Sequence, residues 1–159
     1  MAQLPPISAT AHTVDGPDTS KTDQAGLYRA IGWEMLEGAE VLLTTGAKVP
    51  RPIAYLCGHA LEVGLKSALV GKLSPGEIKS LSHDLDKAWA LVCGVVPALG
   101  DMPPELRPLN DVHARPHHLR YQQDGEGNPI AVMVSPDPVR VVPAVRRALD
   151  LIEAAARTC

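Results

Sequence analysis

One stretch constrains this chain more than any other: PIAYLCGHALEVGLKSALVGK, over 52–72. Apolar and small residues fill nearly the whole circumference it would have as a helix. Such a helix belongs at the centre of a fold, packed on several sides. Pro52 suits the first helical turn. Gly58, Ala60, Gly64 and Ala68 let neighbouring helices approach closely. The only polar stripe is Tyr55, His59, Glu62 and Lys66. At about 100° per residue these four fall within one narrow sector. Glu62 and Lys66 form an i, i+4 pair in the favourable order. Two readings of the stripe stand side by side. It is a thin solvated face with one ion pair, or it is the wall of a polar cleft, because the rest of the helix is too apolar for the surface.

A chain of 159 residues is one domain by size and can bury a core without a metal or disulfide staple. Residues 1–22 hold three Pro and many Ser, Thr and Asp without periodicity, and read as a flexible tail. Residues 23–159 form the domain. Its first helix spans 23–45, with Tyr28, Ile31, Met35, Ala39 and Leu42 on one face, Asp23 as N-cap and Gly46 as the stop. Ser74, Pro75 and Glu77 make a capping box that opens a short helix over 75–81. Ser82-His83-Asp84 opens another, reaching about Val96. A further helix begins near 101–105 and ends near Ala114, stopped by Pro116. LRYQQ and IAVMV, joined by DGEGNP, read as a small β-hairpin. The last helix starts near 135–138 and carries Val142, Val145, Leu149, Ile152 and Ala156 inward. The fold class is therefore all-α: a bundle of four to five helices with a small β-hairpin before the last.

Composition narrows the function. There is no Phe, and only two Trp and three Tyr, so the core is Leu, Val, Ala and Ile. A net charge of −3 argues against a broadly basic duplex-DNA surface. No run is long and apolar enough to span a membrane, and the N-terminus lacks the charged and apolar regions of a secretory signal. Cys57, Cys93 and Cys159 lack paired spacing, and Cys57 and Cys93 lie in apolar runs. A reducing, cytoplasmic setting follows most simply.

Three constellations carry polar chemistry. The first is the stripe of the second helix. The second is His83-Asp84 at a helix start, where Asp84 caps backbone amides and His83 is placed to orient against Glu62. The third is His113, Arg115, His117, His118, Arg120 and Tyr121, a set suited to phosphate or a single-stranded base through charge and stacking. Pro116 breaks the i, i+4 relation of His113 to His117, and no Cys or carboxylate stands at ligand spacing there, so no metal is assigned. Nucleophile elbows, phosphate loops and dinucleotide fingerprints are absent, and no cofactor is called for.

GHALEVGLKSALV, then SHDLDKAWALV, then a Pro-broken His-rich segment ending in LRY, resembles the HEPN superfamily (higher eukaryotes and prokaryotes nucleotide-binding domain) over residues 25–157. The resemblance implies an up-and-down helical bundle that pairs as a homodimer. Many members bind or act on RNA in toxin–antitoxin or defence settings, and others accompany a partner protein such as a nucleotidyltransferase. Ribonuclease members carry an Arg, then roughly four to six intervening residues, then a His, at the start of a late helix. Here that spacing falls on Arg107 and His113, with Pro108 in place of the usual polar neighbour.

The leading expectation is a dimeric HEPN-like binding or interaction module recognising RNA, a nucleotide or a partner protein. Its ligand-binding residues are Tyr55, His59, Glu62, Lys66, His83, Arg115, His118, Arg120 and Tyr121. The alternatives are a metal-independent endoribonuclease, with His113 as acid/base and Arg107 stabilising the charged transition state, and a purely structural oligomerising subunit.

Overall fold

The computed structural model describes residues 21–46, 49–114 and 136–158. The described residues form six α-helices: α1 (Lys21–Thr44), α2 (Pro50–Leu69), α3 (Pro75–Ser80), α4 (Leu85–Cys93), α5 (Arg107–His113) and α6 (Pro138–Arg157). A single 3₁₀ turn, Pro97–Leu99, links α4 to α5. Three helices are long and three short, where the sequence suggested four longer and one short. The described residues contain no strand beyond an isolated Val70–Leu73 bridge. The expected β-hairpin lies outside the described residues, as do residues 1–20 of the tail expected over 1–22; its last two residues, Lys21 and Thr22, belong to α1.

Helix α2 is the hub. It packs against α1, α4, α5 and α6, and Leu61, Leu65, Cys57 and Ala60 are fully buried. Burying a Leu side chain contributes roughly 1.5–3 kcal/mol, so α2 anchors the core by apolar area alone. The glycines of α1 and α2 make its contacts close. A Cβ on Gly32 would stand 3.2 Å from the Ala60 carbonyl oxygen, and one on Gly38 would stand 3.5 Å from Leu56. Positions further along α1 thus meet positions further back along α2, so the two helices run antiparallel. On the opposite side, a Leu149 methyl fills the space a Cβ on Gly64 would need.

Local chemistry sets the ends. Gly46 takes φ +68° just past α1, the left-handed stop that favours glycine. Helix α2 begins at Pro50, so both Pro50 and Pro52 occupy its first turn, where no intrahelical donor is lost. It ends at Leu69, because Gly71 at φ +81° turns the chain. The Ser74–Glu77 capping box forms as the sequence predicts, and Asp84 caps α4 by accepting from the Lys87 amide at 2.9 Å.

Two sequence expectations shift. The inward face of α1 centres on Gly32, Leu36 and Ala39, about one position from the predicted stripe. Leu36 is fully buried, whereas Tyr28, Ile31 and Met35 flank the contact half-buried. The close approach at Gly32 rotates the helix so that Gly32, Leu36 and Ala39 face inward and Ile31 and Met35 sit to the side. Helix α1 also begins at Lys21, so Asp23 lies inside it rather than capping it.

Candidate functional site

The polar stripe of α2 faces a short turn and a helix end. Glu62 is 4 % exposed, an unusual setting for a carboxylate. Its Oε2 accepts from His83 Nδ1 at 2.8 Å and from His113 Nε2 at 2.8 Å. Its Oε1 accepts from Lys66 Nζ at 2.6 Å. His59 Nδ1 lies 3.8 Å from Oε2, beyond hydrogen-bond reach, and that buried nitrogen has no hydrogen-bond partner among the described residues. The His83 and His113 rings meet edge to face at 5.4 Å, and Tyr55 stacks parallel to His59 at 6.3 Å.

Three elements deliver these groups. Helix α2 presents His59, Glu62 and Lys66 at i, i+3 and i+7. The α3–α4 turn presents His83, preceded by Ser82 in the left-handed region at φ 52°. That strained conformation aims the Ser82 carbonyl at Lys66, which donates to it at 2.8 Å. His113 is the last residue of α5, 3 % exposed, and its ring lies flat against α2 where Gly58 has no side chain. A Cβ on Gly58 would stand 2.7 Å from His113 Nδ1. The short α5 is held in place by Asn110, whose Oδ1 accepts from the Leu85 amide and whose Nδ2 donates to Asp86, both at 2.8 Å.

Charge in this cluster is decided by competition. Burial pushes the Glu62 carboxyl up. The donors from His113, Lys66 and His83, with His59 close by, together outweigh it and hold the group well below the usual carboxylate range. Glu62 is therefore ionised. Burial pushes His113 down, more than its hydrogen bond to Glu62 raises it, with His83 and His59 adding to the lowering. His113 is accordingly a neutral ring that gives its Nε2 proton to the carboxylate.

The structure unites residues that the sequence reading kept apart. Tyr55, His59, Glu62 and Lys66 share one face, and His83 meets Glu62 as the sequence suggested. His113 joins the same cluster. Arg107 and His113 open and close α5, but six residues of helix turn them toward different sides: Arg107 is exposed and His113 buried. Arg115, His117, His118, Arg120 and Tyr121 lie outside the described residues. Cys57 is buried, and that burial pushes its thiol up to about 12, with Glu40 adding to it, so it is an inert core group.

Two features were not legible in the sequence. The first is a donor set: one ligand atom each from His59, Glu62 and His113 lies within 4.8 Å of the others. Its only sequence trace is Gly58, four positions before Glu62. The second is a cleft of about 550 Å³ on the far side of Lys66 and His83, closed by Gln24 and Tyr28 of α1 and by Ile78 and Lys79 of α3. Among the described residues it is lined by two Lys and one His and by no carboxylate, in a protein of net charge −3.

No protein-family model matches the chain, and no curated protein or solved structure matches it. No helix among the described residues is long and apolar enough to cross a membrane.

Proposed function

We propose that this chain is a HEPN-like helical module, acting as a homodimer, that binds the phosphate of RNA or of a nucleotide in the cleft beside Lys66, Lys79 and His83. The observation that carries this reading is that Lys66, Lys79 and His83 line one cleft in which no carboxylate stands among the described residues. A local positive surface on an acidic protein concentrates anions where the overall charge would repel them. Lys66 is fixed by Glu62 and the Ser82 carbonyl, so it meets a ligand already oriented. Lys79 is exposed and contributes an ammonium not neutralised by any ion pair among the described residues. Tyr28 offers a ring face for a base next to the phosphate position. The resemblance of GHALEVGLK and SHDL to HEPN sequences supports the same class of ligand.

Calorimetric titration with ATP, with a short single-stranded RNA and with inorganic phosphate tests this. Wild type binds at least one of the three, and Lys79→Glu weakens that binding at least tenfold while leaving the circular dichroism unchanged. Affinity falls as salt rises, since phosphate contacts release counterions. Comparison of the three arms separates a nucleotide site from an RNA site. Should wild type bind none of them, or Lys79→Glu bind as well as wild type, the reading is wrong. Light scattering reads the dimer independently.

A further inference from the structure

We propose that His59, Glu62 and His113 form a site for a divalent ion of the zinc class, with Lys66 and His83 orienting the carboxylate. This inference does not rest on the phosphate reading, since its donors face the interior of the cluster and not Lys79.

The donor chemistry selects the ion. Two imidazoles and one carboxylate suit Zn²⁺ and its neighbours, whereas Mg²⁺ and Ca²⁺ prefer all-oxygen sets. The spacing fits as well. Ligand atoms of a tetrahedral zinc site stand about 3.4 Å apart. Here Glu62 Oε2 is 2.8 Å from His113 Nε2 and 3.8 Å from His59 Nδ1, with all three atoms within 4.8 Å. Shifts on the order of 1 Å, available to side chains, would bring them onto one ion.

The unsatisfied atom points the same way. His59 Nδ1 is buried without a hydrogen-bond partner among the described residues, beside a carboxylate oxygen that already takes two donors. Orphaned buried polar atoms are uncommon and ask for an explanation. A metal ion would accept the lone pair of Nδ1. It would also replace the His113 proton as the partner of Oε2, with the ring taking the tautomer that frees Nε2.

The surroundings are those of a built site. Lys66 holds Oε1 and His83 holds one lone pair of Oε2, so the other lone pair of Oε2, now taken by His113, is the one an ion would use. The His59 side chain is 28 % exposed while those of Glu62 and His113 are 6 % and 2 %. An ion therefore enters past His59, and the coordination position on that side stays open, as in three-ligand zinc sites. Because Lys66 and His83 hold Glu62 whether or not His113 exchanges its bond, the carboxylate is already in place for the ion. Chelation leaves the protein folded, unlike a metal-nucleated domain.

The test uses tag-free protein stripped with a chelator and titrated with Co²⁺ and then Zn²⁺, with no phosphate present. Wild type takes up one ion per chain, and Co²⁺ develops the intense visible absorption of a low-coordinate N/O site. His59→Ala retains the Lys66, His83 and His113 bonds to Glu62, so it stays folded; it loses at least tenfold in affinity and most of the absorption. Absence of saturable Co²⁺ or Zn²⁺ binding by wild type overturns the proposal. So does a His59→Ala variant that binds as wild type does, or Mg²⁺ binding as tight as Zn²⁺ binding. None of these outcomes bears on nucleotide binding at Lys79.

Discussion

At the scale of single residues, Gly58 and Ser82 show how backbone freedom serves the buried cluster. Gly58 sits mid-helix, where replacing glycine by alanine ordinarily stabilises by roughly 0.5–1 kcal/mol. Here an added Cβ would meet the His113 ring at 2.7–2.9 Å. Both partners are fixed, the ring by its bond to Glu62 and the backbone by α2. Gly58→Ala is therefore expected to reverse the usual sign and destabilise by about 1–3 kcal/mol, the common cost of overpacking. Urea unfolding of the two proteins measures it, and a stabilised variant would show that His113 moves aside freely. Breaking the cluster directly costs more. Glu62→Leu removes the buried carboxylate that Lys66, His83 and His113 all bond, so a loss of about 3–5 kcal/mol is expected in the same measurement. Of these residues the sequence displayed the Tyr55–His59–Glu62–Lys66 stripe plainly, because helical periodicity alone aligns them. It suggested His83 as a partner for Glu62. It did not display His113 in that role, since a contact across 51 positions leaves no periodic trace.

At the scale of elements, short helices depend on side chains that tie them to neighbours. Helix α5 has seven residues, too few to be stable alone, and no side-chain cap at its start. Asn110 compensates by bonding both the Leu85 amide, at the beginning of α4, and Asp86. Asn110→Ala leaves an α4 amide without its partner and is expected to cost about 1–2 kcal/mol. Amide exchange should accelerate at both α4 and α5 in that variant; acceleration confined to one helix would show that Asn110 does not couple them. The long helices use a different tie. Arg146 of α6 grips Glu40 of α1 with two bonds of 2.6 Å and lies over the Trp33 ring, 5.3 Å from its centroid. Trp33 in turn donates to Glu153 at 2.7 Å. A spacing of seven, about two helical turns, aligns Trp33 with Glu40 on α1 and Arg146 with Glu153 on α6. Which helix faced which was settled by the approach of Gly64 to Leu149, a steric matter that no single element records.

At the scale of the whole molecule, acid should loosen the α1–α6 seam before the core. The Arg146 guanidinium holds Glu40 below the usual Glu value, and Arg157 and Trp33 do the same for Glu153, in each case against some burial. A carboxylate lowered in the fold contributes stability above its unfolded value, about 4.3, and loses it as pH falls through the folded value. Each exposed pair is worth no more than about 1 kcal/mol, so the effect is a sloping acid limb rather than collapse. Glu40→Gln should flatten that limb between neutral pH and pH 3 in thermal melts, and 1 M salt should reproduce part of the change. A limb identical to wild type would place the acid sensitivity elsewhere.

The sequence by itself determined the all-helical class of the described residues, the central position of α2, the capping box at Ser74 and the polar stripe. Each follows from interactions within a few residues, where helical period and cap chemistry leave a readable pattern. Tertiary structure alone decided that α1 turns Gly32, Leu36 and Ala39 inward, that His113 closes over Gly58, and that Lys66 and His83 both bond Glu62 and line the adjoining cleft. Those outcomes depend on how closely two backbones approach and on which buried donors reach one carboxylate. Distances of that kind arise only when the helices pack, and no spacing along the chain encodes them.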